Sequence, residues 1–355
     1  MVRVRGAAAF RAPVSAQLSA QLSGVRAVVP AALIAIFITG GCGADSTSAP
    51  PPPDDASRKG VSLSPRSYDA NGFFEFAQLA ADAGDLVTWA GDWLELADTT
   101  AAPHVLAQLG TLYGFTPVFL ATSFRTENGA PLRPLTPPIR AQYLRAAASF
   151  ARRFHPEFLG FGLETDVLLG RPTAELDAFV ALFADAYDSV KAASPSTIVL
   201  TTFELERMKG LRGGLFGGAN DTTMASWALL DRFPKLDLVA FSTYPNLIFG
   251  APNEMPADYY ASAEAIVAAR AGKPIAISES GWHSDAAPVG WESSEAEQAV
   301  FVARLFELLS PASPRFIVWS FVYDQAVAAP FNSIGLRRAD GTARPAWDAW
   351  VSAAP

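Results

Sequence analysis

Cysteine is nearly missing from this chain. Cys42 stands alone among 355 residues, so no intramolecular disulfide can form. Histidine is scarce too: His104, His155 and His283 lie far apart, with no H-E-x-x-H or H-x-H spacing, which argues against a His-rich metal centre. Positive charge is outnumbered, 27 Lys and Arg against 35 Asp and Glu. The resulting net charge of −8 gives a nucleic-acid partner no electrostatic support. No G-x-G-x-x-G follows a strand-like run, which speaks against a dinucleotide fold. Apolar residues, at 50% of the chain, are sufficient for one large core.

The N-terminus has the order of an export signal. Arg3, Arg5, Arg11 and Arg26 precede the apolar run 27–38, which is too short to cross a bilayer comfortably, and Thr39-Gly40-Gly41-Cys42 follows. Small residues before a lone cysteine resemble a bacterial lipoprotein signal. That resemblance implies a signal peptide over 1–41, lipidation of Cys42, and an exported protein held at a membrane of the bacterial cell envelope. The alternative is an ordinary signal or signal-anchor with an incidental cysteine. Residues 42–59, with Pro50 to Pro53, read as a flexible tether.

From residue 60 to the end the pattern alternates. Strand-like runs fall at 60–64, 85–89, 116–122, 158–163, 197–203, 236–243, 275–278 and 316–321. Helix-like runs fall at 73–83 and 103–113, from Pro137 behind Thr136, from Thr173, at 224–233 and 257–271, from the capping box Ser294-x-x-Glu297, and at 346–351. Strand–helix alternation implies parallel strands joined by right-handed crossovers. Eight such units over 60–355 predict an α/β fold, a single-domain (β/α)8 TIM barrel, rather than an open sheet.

Barrel enzymes build their sites at the C-terminal ends of the strands. There this chain places Arg66, then Trp89, Asp92 and Trp93, then Arg125, Glu164 and Asp166, Glu204 and Glu206, Tyr244, then Glu279, Trp282 and His283, and finally Trp319, Tyr323 and Asp324. The rim is acidic and aromatic, suited to sugar hydroxyls and ring faces. Strands four and seven oppose each other across an eight-stranded barrel, so Glu164 and Glu279 are expected to face one cleft. Two carboxylates on opposite walls are the apparatus of glycoside hydrolysis.

Several segments carry a family likeness. Ser278-Glu279-Ser280-Gly281-Trp282 is similar to the nucleophile segment of endo-β-1,4-galactanases and plant-type β-1,3-glucanases. Gly162-Leu163-Glu164 matches an acid/base segment in position. Phe241-Ser242-Thr243-Tyr244-Pro245, Trp319, and the stretch from Gly335-Leu336 to Pro345-Ala346-Trp347 fit the same pattern. The chain thus resembles the clan A retaining glycoside hydrolases. The resemblance implies a two-Glu double displacement on β-linked glycans, with Glu279 as nucleophile and Glu164 as acid/base, and Asp166 as a rival for the latter role. It implies Tyr244 touching the nucleophile, Trp319 beneath the cleaved sugar, and further substrate contacts from Trp282, Trp89, His283 and Arg125, with Trp93 a weaker candidate. It implies an oligo- or polysaccharide substrate, no cofactor, and a monomer.

One departure stands out. The clan usually has Asn before the acid/base Glu, and here that residue is Leu163. No Arg closes the second strand either, where Arg66 or Arg125 is the available substitute. These departures favour the other reading, a non-catalytic glycan-binding lipoprotein on a glycosidase-like barrel. A metal-dependent barrel hydrolase is the third, disfavoured by the histidine count.

Overall fold

A computed structural model describes residues 57–355. The proposed signal, Cys42 and nearly all of the tether lie outside the described residues. Eight strands form a closed parallel barrel in chain order. They are β1 Arg58–Ser62, β2 Leu86–Asp92, β3 Thr116–Thr122, β4 Phe158–Phe161, β5 Ile198–Glu204, β6 Leu238–Thr243, β7 Ile275–Ser280 and β8 Phe316–Trp319. The helices are α1 Ala70–Ala83, α2 Ala102–Tyr113, α3 Pro137–Phe154, α4 Thr173–Ala193, α5 Leu205–Met208, α6 Ala261–Ala271, α7 Glu295–Leu309 and α8 Pro345–Ser352.

The expected (β/α)8 barrel is therefore present, and its deviations are local. β1 starts at Arg58, inside the stretch read as tether, because Arg58 and Lys59 pair with Phe316 and Ile317 to close the barrel. Lys59 Nζ also donates to the carbonyls of Trp350 and Val351 at 2.6 and 2.9 Å, capping α8. The helix expected over 224–233 is instead the 3-10 turns Thr222–Met224 and Trp227–Arg232.

Side chains alternate between two buried layers, as the two-residue period of a strand requires. Leu86, Val118, Leu200, Leu238, Ala276 and Phe316 pack only with other strand or strand-end residues and fill the barrel interior. Their neighbours Val87, Phe119, Val199, Val239, Ile275 and Ile317 pack outward with helix residues such as Phe76, Phe150 and Leu305. A third apolar cluster, Tyr244, Leu247, Phe321, Phe331 and Ile334, is built from segments that follow β6 and β8. Tyr68, Leu215, Phe216 and Val327 pack against it, so the cluster covers the C-terminal mouth of the barrel.

Candidate active site

The polar residues of the site sit one layer above the apolar interior. On β5, Leu200 faces inward, and Thr202 and Glu204 follow on the same face. On β6, Ala240 and then Ser242 do likewise. β7 would turn Glu279 outward if its alternation were unbroken, because Ala276 faces inward. The register slips between Phe241 and Ser242: Ile277 pairs with Phe241, and Glu279 pairs with Ser242. This irregularity skips Ser278 and puts Glu279 on the inward face beside Ser242, the re-aiming that β-bulges produce near functional sites.

Glu164 arrives by a different route. After β4 the chain turns through Gly162 at φ 88° and Glu164 at φ 47°. A side chain at Gly162 would meet the Phe179 ring at 2.6 Å, so glycine is required there. For Glu164 the left-handed backbone is a strained state, costing on the order of 1–3 kcal/mol. Thr202 Oγ1 accepts from the Glu164 amide at 2.8 Å and supports that conformation.

The two carboxylates meet through β6. Ser242 Oγ donates to Glu164 Oε1 at 2.8 Å, and Ser242 is the register partner of Glu279. Tyr244 Oη donates to Glu279 Oε2 at 2.8 Å and contacts Ser320 Oγ at 2.6 Å. Ser320 Oγ in turn lies 3.0 Å from the Ser280 carbonyl. Both acids are almost fully buried, Glu164 at 1% exposure and Glu279 at 4%.

Their protonation differs by environment. Burial raises both above the usual carboxylate range. Glu164 is raised further by the charges of Glu279 and Asp166, and only partly relieved by Arg207 and Ser242. Glu279 has the Tyr244 hydroxyl to favour its ionised form. Glu164 Oε2 has no hydrogen-bond partner, which penalises its ionised form again. The neighbouring acids and the unpartnered oxygen favour the neutral form of Glu164, while the Tyr244 hydroxyl favours the ionised form of Glu279. Burial and the two carboxylates hold Tyr244 well above its ordinary value, so it stays a donor.

Other candidates stand elsewhere. Trp319 points outward, against Phe301 and Trp350, with Nε1 donating to the Ile334 carbonyl at 2.8 Å. Trp282 packs on Phe301 and donates to Ser293 Oγ at 3.0 Å. Trp89 belongs to the same outer layer, and Trp93 packs there on Tyr143. These four rings are core material between barrel and helices, not platforms in the mouth. The expectation for them is corrected: strand alternation turns Trp89 and Trp319 outward, which the apolar pattern of a doubly buried strand does not reveal, and Trp93 and Trp282, just beyond their strands, pack into the same layer.

His283 is buried rather than a surface loop residue. Its Nε2 is 2.8 Å from the Trp291 carbonyl, so that nitrogen carries the proton, and Nδ1 accepts from Asn246 Nδ2 at 3.2 Å. Both ring nitrogens are engaged, and burial lowers its pKa, so the imidazole is neutral. Arg125 is exposed at the base of the turn after β3, which its backbone closes with Gly129 and Ala130. Leu163 faces the apolar barrel interior.

Ser242, Ser320 and Arg207 also belong to the site, and no motif in the sequence singles them out. Ser242 lies two residues before Tyr244, and that spacing was the available signal. Arg207 follows Glu204 by one helical turn, with Nε 2.7 Å from Glu204 Oε2 and Nη1 3.9 Å from Asp166 Oδ2. Glu206 instead accepts from Thr243 Oγ1 at 2.7 Å and Tyr259 Oη at 2.8 Å. Among the described residues, no group of three or more His, Cys, Asp or Glu is placed to hold a metal ion.

No family model and no curated protein matches the chain. Solved structures do. A family 39 glycoside hydrolase from the gut symbiont Bacteroides cellulosilyticus WH2 aligns with a TM-score of 0.57 at 16% identity, over 84% of this chain and 63% of its own. An exo-β-1,4-mannosidase from Opitutaceae bacterium strain TAV5 aligns with a TM-score of 0.57 at 16% identity, over 83% of this chain and 58% of its own. The intracellular xylanase of Thermoanaerobacterium saccharolyticum, solved with xylotriose, aligns with a TM-score of 0.58 at 14% identity, over 83% and 95%. The chain thus spans less than two thirds of the first two proteins. At these identities the likeness is one of fold.

Proposed function

We propose that the chain is a retaining glycoside hydrolase acting on β-linked glycans. Glu279 attacks the anomeric carbon while Glu164 gives its proton to the departing oxygen. Water then releases the glycosyl-enzyme, with Glu164 as base. The observation that carries this reading is the linkage through β6: Ser242 holds Glu164 and Tyr244 holds Glu279, while Ser242 pairs with Glu279 in register. The surroundings of Glu164 favour its neutral form and the Tyr244 hydroxyl favours ionised Glu279, the division of labour that acid–base and nucleophilic roles require. A 2-fluoro glycoside trap tests it. Covalent label on Glu279, with turnover abolished in Glu279→Ala, is the expected result. Turnover that persists in Glu279→Ala ends the assignment.

The second reading, a non-catalytic glycan-binding protein, is favoured by Leu163 in the apolar interior and by the near-complete burial of both acids. It expects glycan binding with no label on Glu279 under any condition.

A further inference from the structure

We propose that Arg207, set between Glu204 and Asp166, is a positioning residue that determines how firmly Glu164 holds its proton. The inference rests on the reading of Glu164 as acid/base and deepens it. Arg207 stands on α5, directly after β5. Its Nε is 2.7 Å from Glu204 Oε2, its Nη1 is 3.9 Å from Asp166 Oδ2, and its guanidinium lies over the Phe216 ring at 5.9 Å. Asp166 Oδ1 accepts from the Glu204 amide at 2.7 Å, so the two acids are tied together through the backbone.

This group sits against the catalytic pair. Glu204 is the register partner of Ser242, the residue that donates to Glu164. Glu164, Asp166 and Glu204 are all at most 5% exposed; Glu164 Oε2 has no hydrogen-bond partner, Asp166 Oδ2 has only the 3.9 Å contact with Arg207, and Glu204 Oε2 is ion-paired with Arg207 Nε. Buried carboxylates this close cannot all ionise without a cation. The charged and titratable groups facing Glu164 are Glu279 from β7, Asp166 from the turn after β4, Glu204 from β5, Arg207 from α5 and Tyr244 from β6. Glu206 and Arg212 act on the same cluster from farther out.

The signs are opposed for the two partners. Burial raises the Glu204 pKa and the Arg207 guanidinium opposes it; the 2.7 Å ion pair holds Glu204 as a carboxylate, which offsets much of the Arg207 charge. Without Glu204, Arg207 acts on Glu164 undiluted and Glu164 releases its proton at lower pH. Without Arg207, Glu164 keeps its proton to higher pH. A group that only supports the fold has no reason to move Glu164 in opposite directions.

The test compares Arg207→Met, Arg207→Lys and Glu204→Gln in the full chain. Two readouts are taken: the alkaline limb of kcat/KM on a β-aryl glycoside, and the 13C carboxyl titration of Glu164 without substrate, assigned with Glu164→Gln. The expected result is a rise of about one pH unit in Arg207→Met, near-complete rescue in Arg207→Lys, and a fall of similar size in Glu204→Gln. Shifts of the same sign, or an unmoved Glu164 signal in the near-isosteric Glu204→Gln alone, overturn the proposal. A Glu164 signal that moves as stated in a protein that hydrolyses nothing preserves the charge relation and removes the hydrolase reading.

Discussion

Replacing Tyr244 by Phe removes one hydroxyl and leaves the ring that packs on Phe331 at 5.3 Å. The lost interaction is the 2.8 Å bond to Glu279 Oε2, made inside a site where Glu279 is 4% exposed. A hydrogen bond to a buried charge is worth about 1.5–3 kcal/mol, which is about one to two pH units in the affinity of Glu279 for its proton. The sign follows from linkage. The folded pKa of Glu279 already lies above its unfolded value, chiefly through burial, so its stability contribution is intact at low pH and is lost as pH rises through the folded value. Tyr244 lowers that folded value, and the variant raises it. The variant therefore loses more stability than the wild type, and the gap widens with pH. Urea denaturation at pH 5 and pH 9 reads this directly. The expected difference is small at pH 5 and about 1.5–3 kcal/mol larger at pH 9. An equal destabilisation at both values would mean that the hydroxyl serves packing alone, and the pairing of Tyr244 with an ionised Glu279 would fall.

Further outcomes follow from the same contacts. Trp319→Phe should lower stability by about 2–4 kcal/mol through the cavity and the lost bond to Ile334, with KM for any accepted glycan unchanged; a tenfold rise in KM without loss of Tm would restore a platform role. Thermal stability should fall from pH 5 to pH 8, because Glu95 is pushed up to about 8 by burial, and Glu206 is raised for the same first reason. A Tm that climbs over that interval refutes the burial of these acids. Phe331→Ala should open the apolar cover and speed trapping of Glu279 by about 10–100-fold while lowering Tm; unchanged trapping would show that the cover does not gate the acids. Cys42→Ser should abolish incorporation of labelled fatty acid in a bacterial host, and retained label would remove the lipoprotein reading.

Much of the architecture is legible in the sequence because strand and helix periods differ sharply. β3 is read at its observed bounds, and Pro137 opens α3 where a proline at the first helical position predicts. The facing of each strand residue is not legible, since both faces of these strands are buried and both are apolar. That is why Trp89 and Trp319 were expected in the mouth and lie behind it. The turning of Glu279 into the barrel depends on a one-residue register slip against β6, which is a property of two strands together. The 3-10 turns over 222–232 escape because their composition also fits a helix, and tertiary context decided otherwise.

The distribution of cost within the barrel argues for where its function lies. The lower interior is satisfied by Leu, Val, Ala and Phe, which need no partners. One layer higher the same barrel buries Glu164, Glu204 and Glu279, together with Asp166, and leaves an oxygen of Glu164 and one of Asp166 without a hydrogen bond. It holds Glu164 in a left-handed conformation and breaks the β6–β7 register to bring Glu279 round. Apolar side chains at these positions would extend the packing below them and remove each of those penalties. Packing thus offers no compensation for this layer. The proposed double displacement would account for it, because a proton held by one acid, released to a leaving group and taken back from water needs a dry site that holds two carboxylates in different protonation states at the same pH.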